Sequence, residues 1–192
     1  MATCGPWFRK LIHLGTALLL VLVPLAGWTV YRWVVLGLLG GAVLVEWLRR
    51  NHTLARQLFL MITHPMLKER ERRGAWTDAT LHLVGMNLVA WIFSPEVAVP
   101  ALLVQALADP AAFAAGVRGR WRTAWGKSME GSLAFALVAW AILWKAGMAP
   151  AVAAGVGGLV AGVEHVTRED NVWVPLTTAV LLWGSRLVLN GG

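Results

Sequence analysis

Asp109 stands in the apolar run Leu107-Ala108-Asp109-Pro110-Ala111-Ala112-Phe113, where an ionised carboxylate needs a reason to be. Even on the lenient insertion scale a charge at the centre of a membrane span costs about 2.5–3.5 kcal/mol, so the group must face protein, water or a cation. Pro110 follows at once, and a proline inside a helix frees backbone carbonyls that can help to hold an ion. A second concentration of chemistry begins with Arg118, Arg120 and Arg122, interleaved with Trp121 and Trp125, and runs into Gly126-Lys127-Ser128-Met129-Glu130-Gly131. Gly126 permits close approach to the backbone, Lys127 supplies a point charge, and Ser128 is placed to cap a following helix whose first N–H groups favour anions. Together with the arginines this reads as a polyphosphate site. It is not a P-loop, which would need a glycine where Trp121 stands. A third group comprises Glu164, His165, Arg168, Glu169, Asp170 and Asn171, whose carboxylate and amide oxygens suit Mg²⁺. Each has a plainer reading beside it: Asp109 as a structural ion pair with a neighbouring helix, and 164–171 as a solvated turn with an Asp-Asn helix start.

The elements that must position these groups are those of a membrane protein. Of 192 residues 58% are hydrophobic without counting 20 glycines, only 14% are charged, and mean hydropathy is +0.63. That composition is well above the roughly 45–50% apolar fraction of soluble domains, and a chain this short has no core large enough to hide the surplus. Twelve Trp against one Tyr agree, since indole rings favour membrane interfaces. Cys4, the single cysteine, excludes an internal disulfide framework and any multi-cysteine metal site. The net charge of +7 sits between apolar runs and not in a stripe on a soluble domain, which argues against nucleic acid.

Apolar runs at 11–30, 33–48, 79–93, 97–117, 133–146, 149–166 and 172–189 predict an all-α, polytopic transmembrane bundle of about seven spans forming a single integral-membrane domain over 1–192. With the N-terminus inside and the C-terminus outside, only Arg32, Lys145 and Arg186 of the 17 Lys and Arg fall on the outer face, which is the arrangement the positive-inside rule selects. Arg9 and Lys10 before the first apolar run imitate a secretory signal, but Leu-Ala-Gly is a poor cleavage site, so the run is read as a retained helix. Two inside segments result: an amphipathic and basic stretch over 49–76, suited either to the headgroup layer or to a plain basic connector, and a basic loop over 117–131. Gly37 with Gly41, and Gly158 with Gly162, have the spacing that lets helices pack closely. The expected location is a bacterial-type cytoplasmic membrane with the site facing the cytoplasm.

At this point the residues resemble a known family. Asp109, Ala112 and Gly116 reproduce an Asp-x-x-Ala-x-x-x-Gly element, and Gly126 to Gly131 resembles the Lys-Lys-Thr-x-Glu-Gly element of the dolichol kinase, phytol kinase and CTP-dependent diacylglycerol kinase family. Arg9-Lys10-Leu11-Ile12-His13 looks like the family's N-terminal Arg-Lys-x-x-His, and Glu46 with Arg49 like the end of its second span. Glu71, Gly74, Thr77, Ala79 and Thr80 resemble the approach to its next helix, and Asp170-Asn171 with Pro175 its closing Asp-Asn-x-x-x-Pro-Leu. One departure is Gly126, which replaces the first lysine of the kinase element. The resemblance implies an enzyme that phosphorylates the hydroxyl of a membrane lipid alcohol (diacylglycerol, polyprenol, dolichol or phytol) with CTP and Mg²⁺ or another divalent cation. It implies that Asp109 binds the metal or orients the acceptor, with Glu130 the competing general base. Lys127, Arg118, Arg120 and Arg122 neutralise the triphosphate, while Gly116, Gly126, Ser128 and Gly131 shape its cradle. Glu164, Asp170 and Asn171 complete the metal or nucleotide site, and Arg9, Lys10, His13, Glu46 and Glu71 are further candidates. Two alternatives stand beside it: a CTP:phosphatidate cytidylyltransferase, whose longer closing signature is absent, and a small transporter with Asp109 on its solute path.

Overall fold

The computed structural model describes residues 5–123, 126–167 and 169–190; Cys4, Trp125 and Arg168 lie outside them. The described residues are helical and loop, with one isolated bridge between Arg122 and Ser128. In order they form α1 (Gly5–Leu19), α2 (Leu22–Ala26), α3 (Trp28–Asn51), α4 (Thr53–Thr63), a 3₁₀ turn (His64–Met66), α5 (Glu69–Arg72), α6 (Asp78–Ile92), α7 (Pro95–Val117), α8 (Met129–Lys145), α9 (Pro150–Val166) and α10 (Asp170–Asn190). Helix starts follow side-chain chemistry. Thr77 accepts the Thr80 amide at the head of α6, Ser128 accepts the Gly131 amide at the head of α8, and Pro95 and Pro150 occupy first turns, where a missing N–H is harmless.

The all-α class is as expected, and among the described residues three segments are long and apolar enough to cross a membrane: Arg9–Ala26, Trp28–Asn51 and Pro95–Val117. Seven full spans are not established, because α6, α8 and α9 have 15, 17 and 17 residues. At 1.5 Å per residue these reach about 22–26 Å, short of the roughly 30 Å of a hydrocarbon core. The boundaries of the first two runs also move. The chain breaks after Leu19 and turns at Gly27 (φ 89°), so Trp28 to Val30 belong to α3, which continues to Asn51.

α7 is the centre of the bundle and packs on α1, α8 and α10. Small residues allow this. Ala98, Ala101, Ala108 and Val104 of α7 are buried along with Phe135, Ala139 and Leu143 of α8 and Ala179 and Leu182 of α10. α3 is peripheral, burying Tyr31, Val35, Glu46 and Arg49 while exposing Trp33, Leu44 and Trp47, as suits contact with lipid. The glycines expected to serve packing do not: around Gly37, Gly41, Gly158 and Gly162 nothing lies within 4 Å of where a Cβ would be. Close approaches occur instead at Gly85, against the Asn171 carbonyl of α10, and at Gly131, against the Ala112 carbonyl of α7. Spacing says that two glycines share a face, but not what that face meets.

Contacts of α3, α6 and α10 link the turns at Gly27, Phe93–Ser94 and 146–149 at one end of the bundle. Arg32, over the Trp91 ring at 3.9 Å, and Arg186, donating to the Ala146 carbonyl at 3.1 Å, belong to that end. α5, the 118–128 loop and the α9–α10 turn gather at the other.

Candidate functional site

A cavity of about 350 Å³ opens at the basic end, within the size range of small-ligand sites. α7 supplies one wall. Asp109, Ala112, Phe113, Gly116 and Val117 follow the i, i+3, i+4, i+7, i+8 spacing that puts side chains on one helical face, and all five line the cavity. The Asp-x-x-Ala-x-x-x-Gly element is thus a stripe: a carboxylate, then small and apolar groups, then a glycine.

Asp109 is held from α1. Lys10 Nζ lies 2.6 Å from each carboxylate oxygen, and His13 Nδ1 is 2.8 Å from Oδ2. Asp109 is therefore both a member of an ion pair with a neighbouring helix and part of the cavity wall. Behind it, the His13 ring stacks on His82 of α6 with centroids 4.2 Å apart, and Thr16 Oγ1 pairs with His82 Nε2 at 2.9 Å. This buried column fixes α1 against α6 and so fixes Lys10 against α7.

The opposite wall comes from the loop before α8. Thr123 N donates to the Lys127 carbonyl, Gly126 N to the Thr123 carbonyl and Met129 N to the Trp121 carbonyl, each at 2.9 Å, which makes a tight hairpin. Gly126 sits at φ 78°, a left-handed backbone natural to glycine. This gives the glycine at 126 a conformational reason. Ser128 Oγ accepts from Gly131 N at 3.0 Å and lies under Gly116 and Gly119, where a Cβ would come within 2.9 and 2.7 Å of it. Gly116 and Gly131 thus let α7 and α8 close on the capped helix start.

Lys127 is clasped from below. Its ammonium lies 2.5 Å from Glu164 Oε1 and 3.0 Å from Asp170 Oδ2, and it also donates to the Glu164 carbonyl. Burial works against its charge, but the fields of Asp170 and Glu164 outweigh burial and hold the Lys127 pKa above the ordinary lysine value. Two carboxylates converging on one cation are also the donors a hard divalent ion takes when phosphate and water supply its remaining ligands. Among the described residues no three His, Cys, Asp or Glu side chains form a metal cage by themselves. The residues present fit a divalent ion that phosphate and water also ligate.

Arg9, Lys10, Lys68, Arg122 and Lys127 set five basic side chains against Asp109, Glu164 and Asp170 around the cavity. Other sequence candidates stand elsewhere. Arg118 and Arg120 are exposed outside its lining. Glu130 Oε1 accepts the amides of Arg120 (2.7 Å) and Trp121 (3.3 Å), so it anchors the loop and stands outside the cavity lining. Asn171 is buried behind the site, with Nδ2 3.4 Å from the Asp78 carbonyl and its own carbonyl accepting Gln105 Nε2 at 2.5 Å. Glu46 and Glu71 are buried brackets: Glu46 holds Arg49 Nε (2.7 Å) and Thr77 N (2.8 Å), and Glu71 holds the amides of Lys68 and Asp78 (both 2.6 Å). They position Lys68, whose Nζ is 2.5 Å from Asp78 Oδ2 at the cavity edge. Arg70, joined to Glu169 at 2.6 Å and Asp78 at 2.9 Å, ties this segment to the α9–α10 turn.

Lys68, Ser132 and Phe113 line the cavity without having been singled out as site residues, and His82 completes the column behind it. His82 carried a signal, being an ionisable group inside the 79–93 apolar run. Lys68 was hidden in a basic cluster, and Ser132, bonded to His165 Nδ1 at 2.8 Å, follows the motif by one position. No family model, no curated protein and no solved structure matches this chain.

Proposed function

We propose that the chain is an integral-membrane lipid-alcohol kinase that transfers the terminal phosphate of CTP to the hydroxyl of a diacylglycerol, a polyprenol or dolichol, or phytol. The observation that carries the reading is that Asp109 and Lys127, from separate parts of the sequence, line one cavity at the basic end of an apolar bundle. In this reading α6, α8, α9 and α10 join the three long helices as seven spans, the N-terminus is inside, and the cavity faces the cytoplasm. The concentration of Lys and Arg at the cavity end supports that orientation. Short helices are accommodated by local thinning of the bilayer and by flanking residues.

Phosphoryl transfer asks a protein mainly for positioning and charge neutralisation. Lys127, Arg122, Lys68 and Arg9 are placed to receive the triphosphate, and the capped start of α8 turns its first amides to the same side. Glu164 and Asp170 would hold the divalent cation that accompanies the nucleotide, which would neutralise the phosphate oxygens, and Lys127, which lies between them in this structure, would serve the phosphates. Asp109, steadied by Lys10 and His13, orients the acceptor hydroxyl and takes its proton. The acceptor oxygen bonds to the terminal phosphorus, the bridging P–O bond breaks, and CDP leaves with the electron pair. The choice of CTP over ATP comes from the resemblance of the 109–116 and 126–131 elements to the CTP-dependent family.

The test is to incubate the purified protein in lipid nanodiscs with CTP or ATP, Mg²⁺ and a panel of lipid alcohols, and to read the lipid products by mass. A lipid monophosphate formed with CTP is the expected result. No phosphorylated product from any lipid would refute the reading, and a CDP-lipid from added phosphatidate would replace it with nucleotidyl transfer.

A further inference from the structure

One wall of the cavity has no polar work to do. Phe113 and Val117 line it beside Asp109, and the Phe113 ring meets Trp7 of α1 edge to face, with centroids 4.9 Å apart and planes at 81°. Lys10 Nζ, the partner of Asp109, is 5.6 Å from the centre of the same ring. An apolar lip therefore touches the ion pair that marks the reacting end of the site.

This lip continues outward. Trp7, Leu11, Leu14 and Leu18 recur at the four- and three-residue spacing of a single helical face, and they are 49%, 57%, 39% and 71% exposed. From Leu11 on, the face belongs to a segment, Arg9–Ala26, that is long and apolar enough to cross a membrane. An indole settles at headgroup level, and Lys10 lies three residues beyond Trp7, about 4.5 Å further along the helix. The Lys10–Asp109 pair is then at the depth where a lipid alcohol carries its hydroxyl.

We infer that the acceptor lipid reaches the cavity from the side, across the Trp7–Phe113 lip, with its hydrocarbon chain on the exposed face of α1 and its hydroxyl at Asp109. This rests on the proposed kinase reading and adds the seat of the acceptor chain, making Phe113 a specificity-determining residue. The occupant is a hydroxyl-ended hydrocarbon chain, diacyl or isoprenoid. Continuity of the lip with the polar cavity selects it over a protein partner, whose side chains could not place a chain in the bilayer and a hydroxyl in the site together.

The experiment uses the full-length protein in nanodiscs with two photoreactive probes, a diazirine-tailed diacylglycerol and a diazirine-tailed isoprenoid alcohol. Cross-linked residues are mapped by mass spectrometry, and each probe is competed with its unlabelled alcohol or with the acetate ester of that alcohol. Label at Trp7, Leu11 and Phe113, displaced by alcohol but not by ester, is expected; the probe giving the displaceable label identifies the acceptor class. Label spread equally to the second apolar hollow, at Val180 and Trp183, or displaced equally by ester, would overturn the inference. In parallel, Phe113→Ala should raise KM for the lipid about tenfold and leave KM for CTP unchanged, whereas Phe113→Leu, which keeps an apolar wall, should stay within about threefold of the parent. Equal rises in both KM values for Phe113→Ala would mean a general loss of structure and would overturn the assignment. A parent protein that phosphorylates no lipid refutes the kinase reading itself, whereas turnover by the parent with non-displaceable label refutes the seat alone.

Discussion

The cavity holds two ionic clasps of opposite sense. Asp109 is one carboxylate gripped by two nitrogen-bearing side chains, Lys10 and His13; Lys127 is one ammonium gripped by two carboxylates, Glu164 and Asp170. The first leaves donors in surplus and the second leaves acceptors, so each is suited to what the other lacks. A magnesium–triphosphate carries both signs. In the proposed reading its cation goes to the Glu164–Asp170 side and its phosphates to the lysines and arginines, and the acceptor hydroxyl, which must lose a proton, goes to Asp109.

The comparison is broken or sharpened by unequal substitutions. Asp109→Asn keeps the size and some hydrogen bonding of the side chain but removes the charge opposite Lys10, and lipid-phosphate formation is expected to fall about 10³-fold in protein that stays monodisperse in detergent. Full activity in that variant would leave the first clasp purely structural. Lys127→Met should cost about 10²-fold or more, chiefly in kcat, because it strips a donor from the transferring phosphate; a change confined to the lipid KM would move Lys127 out of the phosphate site. Glu164→Gln and Asp170→Asn should each raise the Mg²⁺ concentration for half-maximal activity about tenfold with little effect on the lipid KM. If residual activity of Asp109→Asn shows that magnesium shift instead, the metal belongs to the other clasp.

The second clasp also has a pH signature. Because the folded-state pKa of Lys127 is raised above the ordinary lysine value, its contribution to stability is complete at neutral pH and is lost only as pH rises through that raised value. Thermal unfolding in detergent should therefore show no Lys127-dependent change across the neutral range, and the gap between parent and Lys127→Met should narrow in strong alkali. The smallest effect separates the two classes of glycine. Gly131→Ala forces a Cβ to 2.8 Å from the Ala112 carbonyl and should destabilise by about 1–3 kcal/mol, while Gly158→Ala meets nothing within 4 Å and should be neutral or up to about 1 kcal/mol stabilising.

Much of the site was legible because charge in an apolar chain is conspicuous. Asp109, Lys127, Glu164 and Asp170 stand out by residue type alone, and the structure brings all four to one cavity. What residue type does not reveal is direction. The Glu130 side chain turns to the loop amides of Arg120 and Trp121, and the Asn171 side chain to the Asp78 carbonyl at the head of α6, because those backbone groups need partners. Lys10 finds Asp109 across 99 positions of sequence, a pairing decided by how α1 packs on α7. Span boundaries were the weakest reading: hydropathy ran through Gly27 without registering its turn, and it began the α8 span at 133 although the Ser128-capped helix starts at Met129.

The most direct measurement supplies CTP radiolabelled either in its terminal or in its α-phosphate, with Mg²⁺ and a lipid alcohol, to the parent protein and to Asp109→Asn. The account predicts that lipid acquires label only from terminally labelled CTP, and that this transfer is lost in the variant. Label arriving from the α-phosphate, or terminal label transferred equally well by both proteins, would contradict it.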